Sequence, residues 1–131
     1  EMVIRDWSSD VCSSDLESAG IIMERGYNDT FITCDSAEPK SVADYRAMRL
    51  PAKEAVKGPG SVEYGMKWLQ RRTLVIDRKR TPHAYDEFVN YEYERDKDGE
   101  IISGYPDEKN HLIDATRYAL ERVYRRMGVI A

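Results

Sequence analysis

Two stretches of this 131-residue chain carry residues able to do chemistry. The first, Cys34-Asp35-Ser36-Ala37-Glu38-Pro39-Lys40-Ser41, follows a β-branched and aromatic run, Thr30-Phe31-Ile32-Thr33. An Asp where a buried strand gives way to a turn is held firmly by the strand yet reached from solvent through the loop, and catalytic groups are often placed there. The second, Asn110-His111-Leu112-Ile113-Asp114-Ala115-Thr116-Arg117-Tyr118, opens a long amphipathic pattern. His111 and Asp114 are three apart and so share one helix face. His111 can supply a ligand nitrogen or a proton, and Asp114 a carboxylate. If the fold brings Asp35 to the His111/Asp114 pair, the result is an oxygen-rich pocket suited to a hard divalent cation, and metal-dependent phosphodiester chemistry is the leading expectation. Each residue also has a plainer reading. Asp35 can cap the helix after it, Asn110 can cap the second helix, and Asp114 suits the positive end of that helix. Glu38 is a further candidate carboxylate, although acids are common in first turns.

The elements that must position these residues follow from pattern. The end of a helix is expected over 17–27, terminated at Gly26. Thr30–Cys34 reads as a buried strand and Glu38–Met48 as a helix with Pro39 in its first turn. A second short strand is expected over Ala52–Val56. The Lys57-Gly58-Pro59-Gly60 break follows, then a helix capped by Ser61 with Val62, Met66 and Leu69 at helical spacing. Thr73–Ile76 is a strand, Pro82–Asn90 a helix, and Tyr91–Glu94 extended. Lys97-Asp98-Gly99-Glu100 is a turn, with Ile101 and Ile102 returning as strand. Asp107–Met127 is the longest helical pattern, and Leu112, Ala115, Ala119, Val123 and Met127 mark its expected apolar face. Strands alternating with helices imply an α/β sheet packed by helices.

Lys53, Lys57, Arg71 and Arg72 are candidate phosphate contacts; the plainer reading is a solvated surface. Arg78-Lys79-Arg80 reads as an ordinary loop, His83 as exposed and incidental. Tyr85, Phe88, Tyr91 and Tyr93 read as packing rather than base stacking.

Composition narrows the class. The chain is 41% hydrophobic and 34% charged, ordinary for one globular domain. No apolar run approaches the roughly 18 residues of a membrane span, and no secretory signal pattern is present. Two cysteines, Cys12 and Cys34, without metal-type spacing, agree with a reducing, cytoplasmic setting. Asp6 to Leu16 reads DWSSDVCSSDL, which is similar to the translation of a common sequencing-library adapter. Residues 1–16 are therefore expected to be foreign, and Trp7 and Cys12 to carry no function. Those sixteen residues hold four acids and one base, so residues 17–131 carry 20 acids against 19 bases, a net charge of −1. Whole-chain acidity thus says nothing about nucleic acid, and a local basic patch would have to supply the electrostatics.

Four motifs in order, DSAEPKS after a strand, KGPGSVEYGMKWL, DEFVNYEYERDKDGE and YPDEKNHLIDATRYAL, span nearly all of residues 17–131. Together they resemble the C-terminal nuclease domain of the large terminase subunit of tailed phages and prophages. The resemblance implies an α/β fold, an RNase H-like mixed sheet flanked by helices and incomplete at the N-terminal side. It implies a divalent-metal endonuclease that cuts concatemeric viral DNA during packaging, with Mg²⁺ or Mn²⁺ as cofactor. Asp35 corresponds to the second acidic ligand of that family, and His111 and Asp114 to the last histidine and acid. The whole protein would add an ATP-driven motor domain and would work in the host cytoplasm with double-stranded viral DNA, the portal protein and the small terminase subunit. The family's first catalytic acid lies on an opening strand, and adapter-like sequence stands in that place. Gly58-Pro59-Gly60 is no Walker-type phosphate loop. The expectation is a truncated piece, inactive alone. Two other readings stand beside it: a different RNase H-like enzyme such as a resolvase, and a non-catalytic interaction module whose motifs only cap helices.

Overall fold

The computed structural model describes residues 2–4, 15–37, 39–102 and 104–126. Glu38 and Met127 lie outside the described residues, as do residues 5–14 of the adapter-like stretch. The chain forms two compact units, Ser8–Lys57 and Glu1–Trp7 with Gly58–Ala131.

The first unit is built from helix α1 (Asp15–Glu24), strand β2 (Ile32–Cys34), helix α2 (Pro39–Ala47) and strand β3 (Ala52–Glu54). Strands β2 and β3 run parallel, Ile32 opposite Ala52 and Cys34 opposite Glu54, with α2 as the crossover that parallel pairing requires. Ala19, Ile22 and Leu50 form the core, with Tyr27, Ile32, Tyr45 and Met48 packed around them. Gly26 ends α1 as its position suggests. At φ 77° it occupies the left-handed region, and the Gly26 and Tyr27 N–H groups donate to the Met23 and Ile22 carbonyls. That pair of bonds is a Schellman closure. Helix α2 closes the same way with Arg49 at φ 62°, and the Leu50 N–H donates to the Tyr45 carbonyl. A side chain is held there because the turn delivers Leu50, 2% exposed, into the core.

The second unit holds strand β1 (Met2–Ile4), helix α3 (Ser61–Gln70), strand β4 (Leu74–Ile76), helix α4 (Pro82–Asn90) and helix α5 (His111–Arg126). Strand β1 pairs parallel with β4, Val3 opposite Val75. Helix α5 packs on α3 and α4. The aromatic ring of Tyr124 meets those of Tyr64 and Trp68, each with centroids 5.6 Å away.

Four expectations change. The cap of α3 is Gly60, in the left-handed region, and Ser61 is the first helical residue; its hydroxyl accepts weakly from the Gly58 N–H at 3.4 Å. Residues 107–110 are a bent approach, so α5 starts at His111. Tyr91–Glu94 and Ile101–Ile102 form no strands, and only an antiparallel bridge, Arg95 to Ile101, joins that region. The buried face of α5 is also not the expected one. Ile113, Thr116, Arg117, Glu121 and Tyr124 are buried, whereas Ala115, Ala119 and Val123 face outward. An alanine offers little area to bury, while Tyr124 offers a large aromatic surface. Two polar members of the buried stripe have partners on the same helix. The Thr116 hydroxyl donates to the Leu112 carbonyl at 2.7 Å, and Arg117 meets Asp114.

Candidate active site

Asp35 leaves the end of β2 and is exposed. Its Oδ1 accepts the Ala37 N–H at 2.9 Å, an Asx turn that bends the chain before α2. Oδ1 also meets the Lys57 ammonium at 2.5 Å, with about half of each side chain open to solvent. The hydrogen bond from Lys57, and after it the one from Ala37, hold the Asp35 carboxyl below the usual carboxylate range. Asp35 is therefore ionised at neutral pH and already attracts a cation. The expected phosphate contact Lys57 is in this structure the counter-ion of a candidate metal ligand.

The other two candidates stand on the first turn of α5, in the second unit. His111 is exposed. The side chain of Asp114 is 25% exposed and that of Arg117 4%. Asp114 Oδ1 accepts from Arg117 Nε at 3.0 Å and from Nη2 at 2.7 Å. Asp114 lines a cavity of about 680 Å³ together with Glu63, Lys67, Tyr105, Asp107 and Asn110. Lys67 pairs with Glu63 at 2.5 Å on one wall. On another the rings of Tyr93 and Tyr105 lie 5.2 Å apart, and burial pushes the Tyr105 phenol up to about 12.

The first turn of α5 is held from outside. Asn110, the expected cap, turns its amide toward Asp107 at 3.5 Å and contributes its carbonyl to the Asp114 N–H at 2.7 Å. The free Ile113 N–H donates instead to Glu87 Oε1 of α4, at 2.7 Å. Below it, the Tyr91 hydroxyl donates to the Pro106 carbonyl at 2.6 Å. Sequence reasoning missed both Glu87 and Arg117. The i,i+3 spacing of Asp114 and Arg117 was a usable signal; nothing local marks Glu87, 26 residues away.

The structure thus puts His111 and Asp114 on one helical turn and Asp35 in the other unit, each carboxylate bearing a basic partner. The four candidate phosphate contacts divide likewise. Lys53, half-buried in β3, and Lys57 belong to the first unit, while Arg71 and Arg72 are exposed at the end of α3. Arg72 lies over the Trp68 ring at 4.6 Å. Among the described residues no group of three His, Cys, Asp or Glu side chains could hold a metal ion. The donor chemistry nevertheless fits a hard cation, because anionic carboxylate oxygens are what Mg²⁺ and Mn²⁺ select.

An α/β chain with parallel strand pairs and acids at a strand end and a helix start has the build of an RNase H-like domain. Comparison with known proteins makes the class specific. Residues 4–122 match the family described as Terminase RNAseH like domain. The large terminase subunit of Bacillus phage SPP1 is 41% identical over 118 residues, which is 86% of this chain and 27% of that protein. The crystal structure of the large terminase nuclease domain from bacteriophage SPP1 with bound Mn superposes with a TM-score of 0.82 at 38% identity, over 92% of this chain and 70% of that one. This chain belongs to the terminase RNase H-like domain family. It spans about a quarter of the length of the curated relative it matches.

Proposed function

We propose that the chain is the nuclease portion of a large terminase subunit, a divalent-metal-dependent endodeoxyribonuclease that cuts concatemeric viral DNA during genome packaging. The observation that carries this reading is the likeness, at 38% identity over 92% of the chain, to a terminase nuclease domain holding Mn. Asp35 and Asp114 would each offer carboxylate oxygens to a divalent cation, and His111 would add a ring nitrogen or carry a proton at the leaving oxygen. When bound, divalent cations lower the pKa of the attacking water and neutralise charge on the phosphate. The protein's own share is to orient both acids, Asp35 through Lys57 and the Ala37 N–H and Asp114 through Arg117. Two carboxylates and one imidazole are few donors for two metals, so full cutting needs at least one further acid.

Lys53, Lys57, Arg71 and Arg72 would meet backbone phosphates. Lys57, which pairs with Asp35 in this structure, would be within reach of a backbone phosphate if Asp35 were engaged by a cation instead. In the whole protein we propose an ATP-driven motor, portal and small-subunit partners, and action in the host cytoplasm. No helix among the described residues is long and apolar enough to cross a membrane. We also propose that residues 1–16 are adapter-derived; resequencing the encoding DNA checks this.

A plasmid-nicking assay with Mn²⁺ titration on the large subunit that carries this domain tests the reading. D114N should lower cutting at least ~100-fold, about the loss expected when a metal-dependent step loses its charged ligand, with its circular dichroism spectrum retained. Full cutting by D114N removes Asp114 from the mechanism.

A further inference from the structure

We propose that Arg117 is the positioning residue of the metal centre, clamping Asp114 by one carboxylate oxygen so that the other alone is presented to the cavity, and that Gly65 is the residue that makes room for the clamp. The inference rests on the metal-nuclease reading and concerns how the site is built.

Three observations converge. First, the Arg117 side chain is only 4% exposed in a helix of a small domain. Burying a guanidinium is costly unless it is paired, so this one is retained for its partner. Second, the pairing is one-sided. A guanidinium facing a carboxylate usually makes two parallel bonds, one to each oxygen. Here Nε and Nη2 both donate to Oδ1, at 3.0 and 2.7 Å, and the remaining oxygen, Oδ2, belongs to a side chain that lines the cavity. Third, the clamp has a dedicated space. A Cβ added at Gly65 of α3 would stand 3.0 Å from Arg117 Cδ and 3.5 Å from both Cγ and Nη1. Gly65 has an ordinary negative φ, so what favours glycine there is the close approach of the Arg117 stem rather than backbone conformation. The Tyr118 ring, 5.3 Å from the guanidinium carbon, helps to hold the fork.

The cap fits the same arrangement. The free N–H groups at a helix start seek side-chain acceptors. Here Glu87 takes the Ile113 N–H, so Asp114 need not. One duty goes to Glu87 and orientation goes to Arg117, which leaves Oδ2 for a ligand. Lysine cannot replace this fork, because an ammonium is a point donor without fixed geometry.

The experiment combines a metal-free readout with a metal readout. In the metal-free chain, the Arg117 Nε–H should exchange slowly with solvent by NMR and become fast in D114A. Fast exchange in the unsubstituted chain overturns the clamp even if Mn²⁺ binds. Mn²⁺ affinity by electron paramagnetic resonance should fall ~10-fold or more in R117A, the range typical for losing a residue that orients a metal ligand. It should fall a few-fold in R117K and in G65A. In the large subunit the same variants should lower kcat with the KM for DNA unchanged. The decisive comparison is the double variant. If Gly65 acts through Arg117, G65A costs nothing further once Arg117 is alanine; costs that multiply overturn the proposal. G65A leaves the buried charge in place, so the cycle and the exchange measurement remain informative if R117A is poorly folded. A protected Nε–H in this chain together with a large subunit that takes up no Mn²⁺ refutes the metal reading and leaves the clamp standing as a structural ion pair.

Discussion

The backbone N–H of Ile113 donates to the carboxylate of Glu87 at 2.7 Å, tying the first turn of α5 to α4 across 26 residues of chain. An N-terminal cap usually comes from the residue just before the helix. This one comes from a neighbouring helix, so one hydrogen bond both satisfies a helix end and fixes where His111 and Asp114 stand. Replacing Glu87 by Ala should cost about 1 kcal/mol, the usual worth of a cap, with Gln costing less because its amide oxygen can still accept. Thermal denaturation checks this: a drop of about 3–5 °C is expected for E87A. An unchanged melting temperature would show that Ile113 is capped otherwise in solution.

Asp114 should have separable structural and chemical roles. D114A leaves Arg117 as a buried cation without its carboxylate, a loss of about 3 kcal/mol. That is the lower end of the range for broken buried pairs, because the Asp114 side chain is one quarter exposed. D114N keeps an oxygen acceptor for Nε and Nη2 and should lose much less stability while losing metal binding. Urea unfolding of the two variants measures the difference, and equal losses would mean that the pair contributes no more than an ordinary hydrogen bond.

Asp35 and Lys57 make a prediction about pH. The folded carboxyl is held below its ordinary value, first by the Lys57 hydrogen bond and then by the Ala37 N–H. The ion pair therefore adds stability that is fully present above the unfolded-chain value of about 3.9 and is lost as pH falls through the lower folded value. K57A should move the Asp35 titration upward, with the Ala37 bond keeping part of the depression. Carbon-detected NMR of the side-chain carboxyl reads this directly. A titration unmoved by K57A would mean that the pair does not persist in solution.

Much of the fold was legible in the sequence, because its signals are local. Pro82 at the first turn and Asn90 at the end bound α4 as expected, and the Asp35 turn lies directly after a β-branched run. The misreadings share a physical cause. The face of α5 was assigned by counting apolar residues, which credits Ala115 and Ala119 with surface they do not have and discounts Arg117 as solvated. A charged side chain can be buried once its partner is on the same helix and a glycine on the next helix admits it. Neither Gly65 nor Glu87 announces that role locally. The His111/Asp114 pair was visible as a spacing; what orients Asp114 was not, because it lies partly on α3.

The two left-handed helix ends give the last prediction. Gly26 and Arg49 occupy the same position of the same closure, at φ 77° and 62°, one with no Cβ and one with a long side chain. The Cβ penalty there is about 1 kcal/mol. G26A should thus destabilise the first unit by about 1 kcal/mol, and R49G should relieve a similar strain. The relief in R49G is partly offset by the extra freedom glycine brings to the unfolded chain, about 0.5 kcal/mol or more. The two substitutions should shift the denaturation midpoint in opposite directions, the loss in G26A exceeding the gain in R49G. A fall of equal size in both would show that the Arg49 side chain contributes more through its contacts than its backbone conformation costs.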